Sequence, residues 1–282
     1  MSDQPQSRTP KGTGTLTSSQ GARHARIWGV GGFRPERVVP NSELVEQIDS
    51  SDEWIQERSG IRTRRWAGPE DSVVSMSEAA AREAIAAAGI EPGQIDCVII
   101  STVTHPYQTP AAAPIVADRL GLRCAAFDIS AACAGYCHGI ALANDMVRGG
   151  SAAYVLVVGV EKLTDFTKMD DRGTAFIFAD GAGAAIVGPS DTPGIGPTIW
   201  GSDGSAWETI KQVPNWLEIR DGDRTRPWLT MAGQSVFRWA VWSMAPVALK
   251  AIEAAGITPD DLDAFIPHQA NLRIIDAIGE RL

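Results

Sequence analysis

The sequence predicts an α/β protein made of two related halves, and three observations support this. Segments rich in Val and Ile alternate with alanine-rich segments of helical composition, the pattern of a layered α/β fold. A 13-residue stretch at 84–96 recurs at 251–263 with eight identical positions. A run of small residues around Cys133 stands where a predicted strand gives way to a predicted helix.

The individual elements follow from local composition and from Gly, Pro and Ser signals at their ends. Residues 1–24 are rich in Ser, Thr, Gly and Gln and predict a disordered tail. Residues 191–228, rich in Gly, Pro and Asp, predict an excursion over the surface. Strands are predicted at 27–33, 95–102, 124–129, 154–159 and 263–266, with a hairpin of 174–178 and 182–187 around Asp180-Gly181. Helices are predicted at 43–48, 52–58, 75–88, 110–120, 134–147 and 234–255.

The repeat favours duplication of one βαβ plan, with halves at 25–190 and 191–282. The alternative is two similar helix-to-strand corners in an alanine-rich protein, since cap chemistry is restrictive. The two copies begin at residues 84 and 251, an offset of 167 residues. If the first half ends near residue 188, its counterpart would end about 73 residues past Leu282. The second half is therefore predicted to be incomplete.

Composition narrows the class of protein. A chain of 282 residues with 44% hydrophobic and 21% charged residues is typical of a soluble globular protein. A formal charge of −9 argues against nucleic acid as the main partner. No apolar run is long enough to cross a bilayer, and four scattered cysteines fit a reducing compartment. We therefore expect a cytoplasmic protein without a membrane partner.

Cys133 is the candidate nucleophile. At the start of a helix, unpaired N–H groups and the helix dipole favour thiolate over thiol, and the small neighbours leave room for a substrate. The alternative is an inert buried cysteine, the commoner fate of free cysteines. Cys137 lies one turn on, but with His138 it lacks the paired ligand spacing of a zinc site, so we expect both to pack in the helix and predict no metal site.

A cationic stretch follows the predicted helix at 52–58. Arg62, Arg64 and Arg65 stand near Trp54 and Trp66. A solvated loop is the ordinary explanation of such a run. Arginines interleaved with tryptophans would also suit a phosphate-bearing ligand with an aromatic base.

His268 is the second chemical candidate. It follows a predicted buried strand, where active-site loops lie in α/β folds. A structural histidine bonded to backbone is an equal alternative. A thiol and an imidazole at corresponding ends of two duplicated halves would meet near the pseudo-twofold axis, so Cys133 and His268 are expected to face one another across one cavity.

Several motifs together resemble β-ketoacyl-acyl-carrier-protein synthase III, of the thiolase superfamily, in its actinobacterial type. In chain order they are 51–55 (SDEWI), 58–62 (RSGIR), 131–135 (AACAG), 171–173 (DRG), 178–184 (FADGAGA) and 267–271 (PHQAN), and the resemblance extends from about residue 26 to the last residue. The resemblance implies duplicated βαβαβαββ halves in a layered α-β-α-β-α arrangement, the second half incomplete. It also implies a homodimer and no cofactor.

The resemblance implies a two-stage reaction in which Cys133 takes an acyl group from acyl-CoA. Malonyl-acyl-carrier protein then loses CO₂ while His268 hydrogen-bonds its thioester carbonyl. Claisen attack on the acyl-cysteine gives 3-oxoacyl-acyl-carrier protein, the priming step of fatty acid synthesis. The backbone N–H of Cys133 would help to stabilise the oxyanion.

The family also implies roles for binding residues. Trp54 resembles the tryptophan that stacks on the CoA adenine, with Arg58 and Arg172 as cationic partners. Asn271 would line the pantetheine channel. Arg238 and Arg273 would receive the acidic carrier protein. Thr109 lies in the loop 105–110, which reaches the partner subunit in relatives, and a small residue there would fit a longer acyl pocket.

The sequence departs from the family pattern at its end. The third catalytic residue of the family, an asparagine in an Asn-Thr-Ser segment, and a glycine-rich segment of the oxyanion hole have no counterpart before Leu282. Two alternatives follow: an acyltransferase of secondary metabolism that does not condense, or a catalytically impaired fragment that only dimerises or binds carrier protein. Retention of Cys133 and His268 argues against the fragment.

Overall fold

The computed structural model describes residues 15–222 and 226–282 and has a mixed α/β architecture. The strands are β1 His24–Phe33, β2 Arg37–Pro40, β3 Thr63–Trp66, β4 Ile95–Ser101, β5 Ala125–Ile129, β6 Tyr154–Lys162, β7 Asp180–Ser190, β8 Ile210–Val213 and β9 Trp228–Met231. The helices are α1 Asp52–Ser59, α2 Val73–Ala88, α3 Ala112–Arg119, α4 Gly135–Gly149, α5 Trp216–Asp221, α6 Gly233–Ala254 and α7 Leu272–Gly279.

A five-stranded sheet of order β1-β7-β6-β4-β5 is formed by strands between residues 24 and 190. Strands β4, β5 and β6 are parallel, and β7 runs antiparallel to both β6 and β1. The carboxyl ends of the three parallel strands therefore meet at one edge, where ligands bind in α/β sheets. Two further pairs, β2 with β3 and β8 with β9, form separate small sheets.

Helices cover both faces of the central sheet because successive strand residues point to opposite sides. In β4, Val98 and Ile100 belong to the core beneath α2 and α3. Cys97 and Ile99 belong to the core beneath α4 on the other face. All four side chains are completely buried, which explains why the middle of β4 is apolar on both faces.

Two glycines of β1 allow α2 to lie directly on the strand. A Cβ on Gly29 would stand 2.3 Å from the Ala88 nitrogen, and one on Gly31 would stand 2.3 Å from the Ala80 carbonyl oxygen. The alanine-rich face of α2 supplies the other half of this close contact. Glycines that weaken strand propensity are thus required here by helix packing.

The two copies of the repeat have the same local structure. Helices α2 and α6 are each followed by a left-handed glycine, Gly89 with φ 65° and Gly256 with φ 75°. A 3₁₀ turn comes next in both copies, at Pro92–Gln94 and Pro259–Asp261. The first copy then enters β4, whereas the second does not form a strand.

Three predicted elements are therefore wrong. Residues 263–266 are irregular, and Ile266 is 82% exposed, because no described strand lies beside them to complete the backbone pairing. The predicted helix 43–48 is only a 3₁₀ turn, Asn41–Glu43, followed by further turns. The predicted hairpin is a single strand, β7, because Asp180 accepts hydrogen bonds from Ala67 N (2.7 Å) and Thr164 N (2.9 Å) that hold its start.

The predicted tail is partly ordered. Residues 1–14 lie outside the described residues. Ser19 donates a hydrogen bond to the Gly149 carbonyl oxygen (2.6 Å), and Ala22 N donates to the Val147 carbonyl oxygen (3.1 Å). These contacts tie the segment before β1 to the end of α4.

The region after residue 190 has a small buried core. Helix α6 is 22 residues long, yet only Val241 and Ala245 are buried in it, and Trp242 is 70% exposed. Its main neighbour is α7, which has a strongly amphipathic sequence and buries Ile278. In the part of the chain that the structure describes, no helix is both long and apolar enough to cross a membrane.

Candidate active site

Cys133 lies at the sheet edge where β4, β5 and β6 end. It is the central residue of a 3₁₀ turn, Ala132–Ala134, between β5 and α4. Ala132 has φ 44°, a left-handed conformation that is unusual for a residue with a side chain and that bends the chain sharply before the cysteine. Strain at this point holds the thiol out at the strand-to-helix junction, as the sequence predicts.

A glycine brings the start of α4 against the end of β4. A Cβ on Gly135 would stand 1.8 Å from Ser101 Oγ, so no larger residue fits there without moving the helix. The N-terminus of α4 has no side-chain cap. The first N–H groups are instead paired within the preceding turn, since Ala134 N donates to the Ala131 carbonyl oxygen (3.1 Å) and Gly135 N donates to the Ala132 carbonyl oxygen.

The electrostatics of Cys133 differ from the sequence expectation. The side chain is exposed, but the surrounding protein withdraws water from it, and this desolvation raises the pKa of the thiol. Its own backbone N–H lowers the pKa, while the Glu161 carboxylate raises it further. The expectation of a thiolate favoured by the helix terminus is wrong for the free protein, because desolvation and the nearby carboxylate outweigh that effect.

Glu161 is a residue of the site that the sequence interpretation missed. It stands near the end of β6, and its carboxylate accepts hydrogen bonds from Val103 N (3.0 Å), Thr102 Oγ1 (3.2 Å) and Thr104 Oγ1 (2.6 Å). Desolvation raises its pKa, and these hydrogen bonds lower it. An acidic residue at the end of an otherwise apolar strand was the signal available in the sequence.

His268 lies in the irregular segment before α7. Desolvation lowers the pKa of its imidazole, although the side chain is exposed, so the ring is mainly neutral at pH 7. Asn271 caps α7 by accepting a hydrogen bond from Arg273 N (2.9 Å) and donates its own amide to the Arg58 carbonyl oxygen (3.2 Å). The segment carrying His268 is thus joined to the end of α1.

A second contact strengthens the joint between α7 and α1. The left-handed Gly60, which ends α1, lies against Leu272; a Cβ on this glycine would stand 2.8 Å from Leu272 Cβ. This packing and the Asn271 hydrogen bond hold the start of α7 against the end of α1. That Cys133 and His268 face one another across one cavity stays a prediction.

The predicted nucleotide-binding residues are brought together. The Arg58 guanidinium lies 5.0 Å from the Trp54 ring centroid and that of Arg172 lies 4.5 Å from it. The ring also packs edge-on against Phe176 at 5.6 Å, which fixes its orientation. Two exposed cations on one anchored indole form a surface suited to an aromatic base with phosphates.

Asp171 holds the turn that presents Arg172. Its carboxylate accepts hydrogen bonds from Gly173 N (2.8 Å) and Thr174 Oγ1 (2.7 Å). The motif 171–173 therefore has a structural aspartate and an exposed arginine.

The remaining predicted site residues are on exposed positions. Arg238 lies on α6 and Arg273 at the start of α7, where its guanidinium stands 5.5 Å from the Phe237 ring. Thr109 is exposed in the loop between β4 and α3. That loop is anchored at its end by Asp128 of β5, which accepts hydrogen bonds from the first two N–H groups of α3.

Two arginines of the cationic stretch have structural roles. Arg64 is buried and donates to the Val39 carbonyl oxygen (3.1 Å) and to Asn41, and Arg65 donates to the Pro35 carbonyl oxygen (2.8 Å). The ligand interpretation of that cationic stretch is therefore wrong for these two arginines. Cys137 is exposed rather than packed, and the His138 ring lies tilted against the Trp200 ring, with 5.1 Å between the ring centroids. Among the described residues, no group of metal-ligating side chains is found.

Two surface cavities lie away from Cys133. The first, of about 570 Å³, is lined by Gln47, Thr164, Thr167, Lys168, Met169, Asp170, Arg226 and Trp228. The second, of about 330 Å³, lies between α3 and the start of β5. Neither has Cys133 or His268 in its lining.

Comparison with known proteins gives consistent results. The family model for 3-oxoacyl-[acyl-carrier-protein] synthase III matches residues 127–204, and that for the C-terminal part of the same family matches residues 252–282. The β-ketoacyl-[acyl-carrier-protein] synthase III 1 of Streptomyces coelicolor is 58% identical over 279 residues, covering 95% of this chain and 81% of the relative. The mycobacterial β-ketoacyl-[acyl-carrier-protein] synthase III of Mycobacterium marinum is 50% identical, covering 95% and 80%.

Solved structures show the same fold. The priming β-ketosynthase of the R1128 polyketide biosynthetic pathway superposes with a TM-score of 0.91 at 46% identity, covering 95% of this chain and 80% of that one. The 3-oxoacyl-[acyl-carrier-protein] synthase III of Aquifex aeolicus superposes with a TM-score of 0.84 at 36% identity, covering 91% and 80%. These likenesses bear out the predicted thiolase-like α/β fold.

Proposed function

The chain belongs to the 3-oxoacyl-[acyl-carrier-protein] synthase III family, and from that membership and the site geometry we propose that it condenses an acyl group from acyl-CoA with malonyl-acyl-carrier protein. The proposal makes it a condensing acyltransferase of fatty acid biosynthesis. The observation that carries the assignment to residues is the position of Cys133, on a strained turn at the meeting point of three parallel strands.

The first stage is transfer of the acyl group to Cys133. The sulfur attacks the thioester carbonyl carbon, the new S–C bond forms, and the bond to the CoA sulfur breaks. CoA leaves as a thiol with the proton that Cys133 gives up. The backbone N–H of Cys133 would stabilise the oxyanion of the tetrahedral intermediate.

The second stage is decarboxylative condensation, with His268 as the hydrogen-bonding group. Malonyl-acyl-carrier protein loses CO₂, and the electron pair of the broken C–C bond becomes an enolate. A neutral imidazole can donate a hydrogen bond to the thioester carbonyl oxygen as this charge develops, and desolvation keeps His268 neutral. The enolate carbon attacks the acyl-cysteine, and Cys133 leaves and is reprotonated.

Substrate recognition is assigned to the exposed cations and their neighbours. Trp54, Arg58 and Arg172 would hold the adenine and phosphates of CoA, which their cation–ring geometry supports. Asn271 would border the pantetheine channel at the α1–α7 joint. Arg238 and Arg273 would receive the acidic carrier protein, and Thr109 would limit the length of the acyl chain.

The proposal also includes the cellular location, the oligomeric state and the division into halves. We place the chain in the cytoplasm, as a homodimer, with halves at 25–190 and 191–282. The carrier protein is acidic in this proposal, so the exposed arginines, rather than the net charge of −9, would govern its docking.

Covalent labelling tests the assignment. On incubation with acetyl-CoA we expect a mass increase of one acetyl group, carried by the peptide containing Cys133. The variant Cys133→Ala should lose the label, whereas Cys137→Ala, which changes an exposed cysteine on the following helix, should keep it. Recovery of the acetyl group on Cys137 in the unaltered protein would overturn the site assignment.

A second candidate function is priming of a polyketide rather than of a fatty acid. The likeness to the priming β-ketosynthase of the R1128 pathway favours it. Release of CO₂ from malonyl-acyl-carrier protein is expected in both cases. Transfer of the acyl group to a hydroxyl or amine without CO₂ release would instead indicate the non-condensing acyltransferase.

A further inference from the structure

The end of β4 is fastened to the end of β6 by one carboxylate. Glu161 accepts hydrogen bonds from the backbone of Val103 and from the hydroxyls of Thr102 and Thr104. Both threonines are buried, so these bonds are not easily exchanged for bonds to water. We name this arrangement, Glu161 with residues 102–104, the carboxylate clamp.

The clamp is closed by two bonds beyond the carboxylate. Thr104 Oγ1 also accepts a hydrogen bond from Lys162 N (2.9 Å), and Thr104 N donates to Thr102 Oγ1 (3.2 Å). Thr102 N donates to the Ile129 carbonyl oxygen (3.3 Å), which joins the clamp to the strand that leads into the turn of Cys133. Three parallel strands are therefore connected at their carboxyl ends.

The clamp lies between two parts of the site. On one side, Ser101 packs against Gly135 at the start of α4, next to Cys133. On the other side, the chain leaves Thr104 for the loop that carries Thr109 and ends at α3. A shift of residues 102–104 would therefore move the proposed boundary of the acyl pocket relative to the nucleophile.

We propose that Glu161 is a positioning residue of the condensing site, which fixes residues 102–104 beside Cys133 and places a fixed negative charge next to the thiol. The substrate of the site is taken from the proposed function, on which this inference rests, whereas the role of Glu161 is inferred from the geometry of the clamp. Glu161 contacts no reacting atom in this scheme; it acts through the clamp and through its charge.

The charge has a defined electrostatic neighbourhood. Glu161 of β6 is the charged group that acts on the Cys133 thiol, and its carboxylate raises the pKa of that thiol. The Lys162 ammonium points away from the carboxylate, since it donates to the Gly68 (3.1 Å) and Asp71 (2.8 Å) carbonyl oxygens. The lysine therefore does not neutralise Glu161 by direct pairing.

Two variants separate the positional effect from the effect of charge. Glu161→Gln removes the charge and replaces one acceptor oxygen by a donor, while Thr104→Val removes the shortest bond to the carboxylate and keeps its charge. Thr104→Ser, which keeps the hydroxyl, is the matched control. We expect both Glu161→Gln and Thr104→Val to slow acylation of Cys133 by acetyl-CoA and octanoyl-CoA by about 10- to 100-fold, and Thr104→Ser to stay near the unaltered rate.

Alkylation by iodoacetamide as a function of pH supplies the readout that a merely structural role would not change. In Glu161→Gln the thiol of Cys133 should ionise at lower pH and be alkylated faster at pH 7, by up to about 10-fold. In Thr104→Val the pH profile should keep its position. Acylation and alkylation that fall together in Glu161→Gln would overturn the proposal, and so would acylation within about twofold of the unaltered rate in both variants.

Hydrogen exchange makes the test independent of the proposed function. The amides of Val103 and Lys162 are donors in the clamp, so both should exchange faster in Thr104→Val than in Thr104→Ser. If acyl-CoA does not label the unaltered chain, the proposed function fails, while exchange and alkylation still decide on the clamp. Unchanged exchange at both amides would overturn it.

Discussion

The two copies of the repeat share their first part and differ in their second. In both, a helix ends at a left-handed glycine and a 3₁₀ turn follows. In the first copy the chain then forms β4 between β5 and β6, with every apolar side chain buried. In the second copy the equivalent residues 262–266 are irregular, and Ile266 is exposed. The end of the helix and the turn after it are thus determined by their own residues, whereas a strand forms only where other strands lie beside it.

This difference also places the two candidate catalytic residues in unlike surroundings. Cys133 stands on a turn held by three strands and by the carboxylate clamp. His268 occupies the repeat position equivalent to Ser101 but is held mainly through Asn271 and Leu272 against α1. The first site is fixed by sheet geometry and the second by the docking of one helix.

The largest expected effect comes from the pair Ile99→Ala and Ile266→Ala, which are equivalent positions of the repeat. Ile99 is completely buried between α4 and the sheet, so its truncation should lower the free energy of unfolding by about 2–5 kcal/mol. Ile266 is 82% exposed, so the same truncation should change it by about 0.5 kcal/mol or less. Urea unfolding measures both.

Each variant of this pair is the control of the other, because the atoms removed are the same. Equal losses at both positions would contradict the comparison. They would mean that residues 262–266 pack in solution as β4 does.

A smaller effect is expected at the shared part of the repeat. Gly89 and Gly256 have φ of 65° and 75°, and nothing lies within 4 Å of a Cβ at either position. Replacing each by Ala should therefore cost only backbone strain, about 1–2 kcal/mol, and the cost should be similar in the two copies. Thermal unfolding of the two variants, measured in parallel, checks this.

Gly93→Ala is the control for the glycine pair. This residue also has open space around it but no left-handed backbone, so the substitution should be neutral or slightly stabilising. A loss at Gly89 without a loss at Gly256 would show that the end of α6 unfolds separately from the sheet.

The sequence could predict elements whose signals are local. Helices α1 and α2 end at Gly60 and Gly89, and Ser51 and Ser72 cap their starts, so each helix is bounded by residues of its own segment. The structure around Asp180, where a hairpin was predicted, depends on residues far away in the chain. Its aspartate is a buried acceptor for distant donors, which no spacing rule reveals.

The candidate site divides in the same way. The strand-to-helix position of Cys133 could be predicted from composition alone, because small residues follow an apolar strand. The cluster of Trp54, Arg58 and Arg172 could not, since its members are 118 residues apart at the extremes and meet only through tertiary packing. Glu161 was missed because its partners lie in the loop that follows β4, about 57 to 59 positions away.

The smallest expected effect concerns the protonation of His268. Desolvation lowers the pKa of its imidazole below the ordinary value of 6.5, so the folded state binds this proton less readily than the unfolded state. Above pH 6.5 the protonation of this ring therefore does not lower the free energy of unfolding. As the pH falls through 6.5 toward the folded pKa, the free energy of unfolding should decrease. NMR titration of the imidazole checks the direction of the pKa shift. In His268→Gln the urea midpoint should change less between pH 7.5 and 5 than it does in the unaltered protein. A titration at or above 6.5 would show that the segment before α7 is fully hydrated, and desolvation could then no longer account for a neutral imidazole at the site.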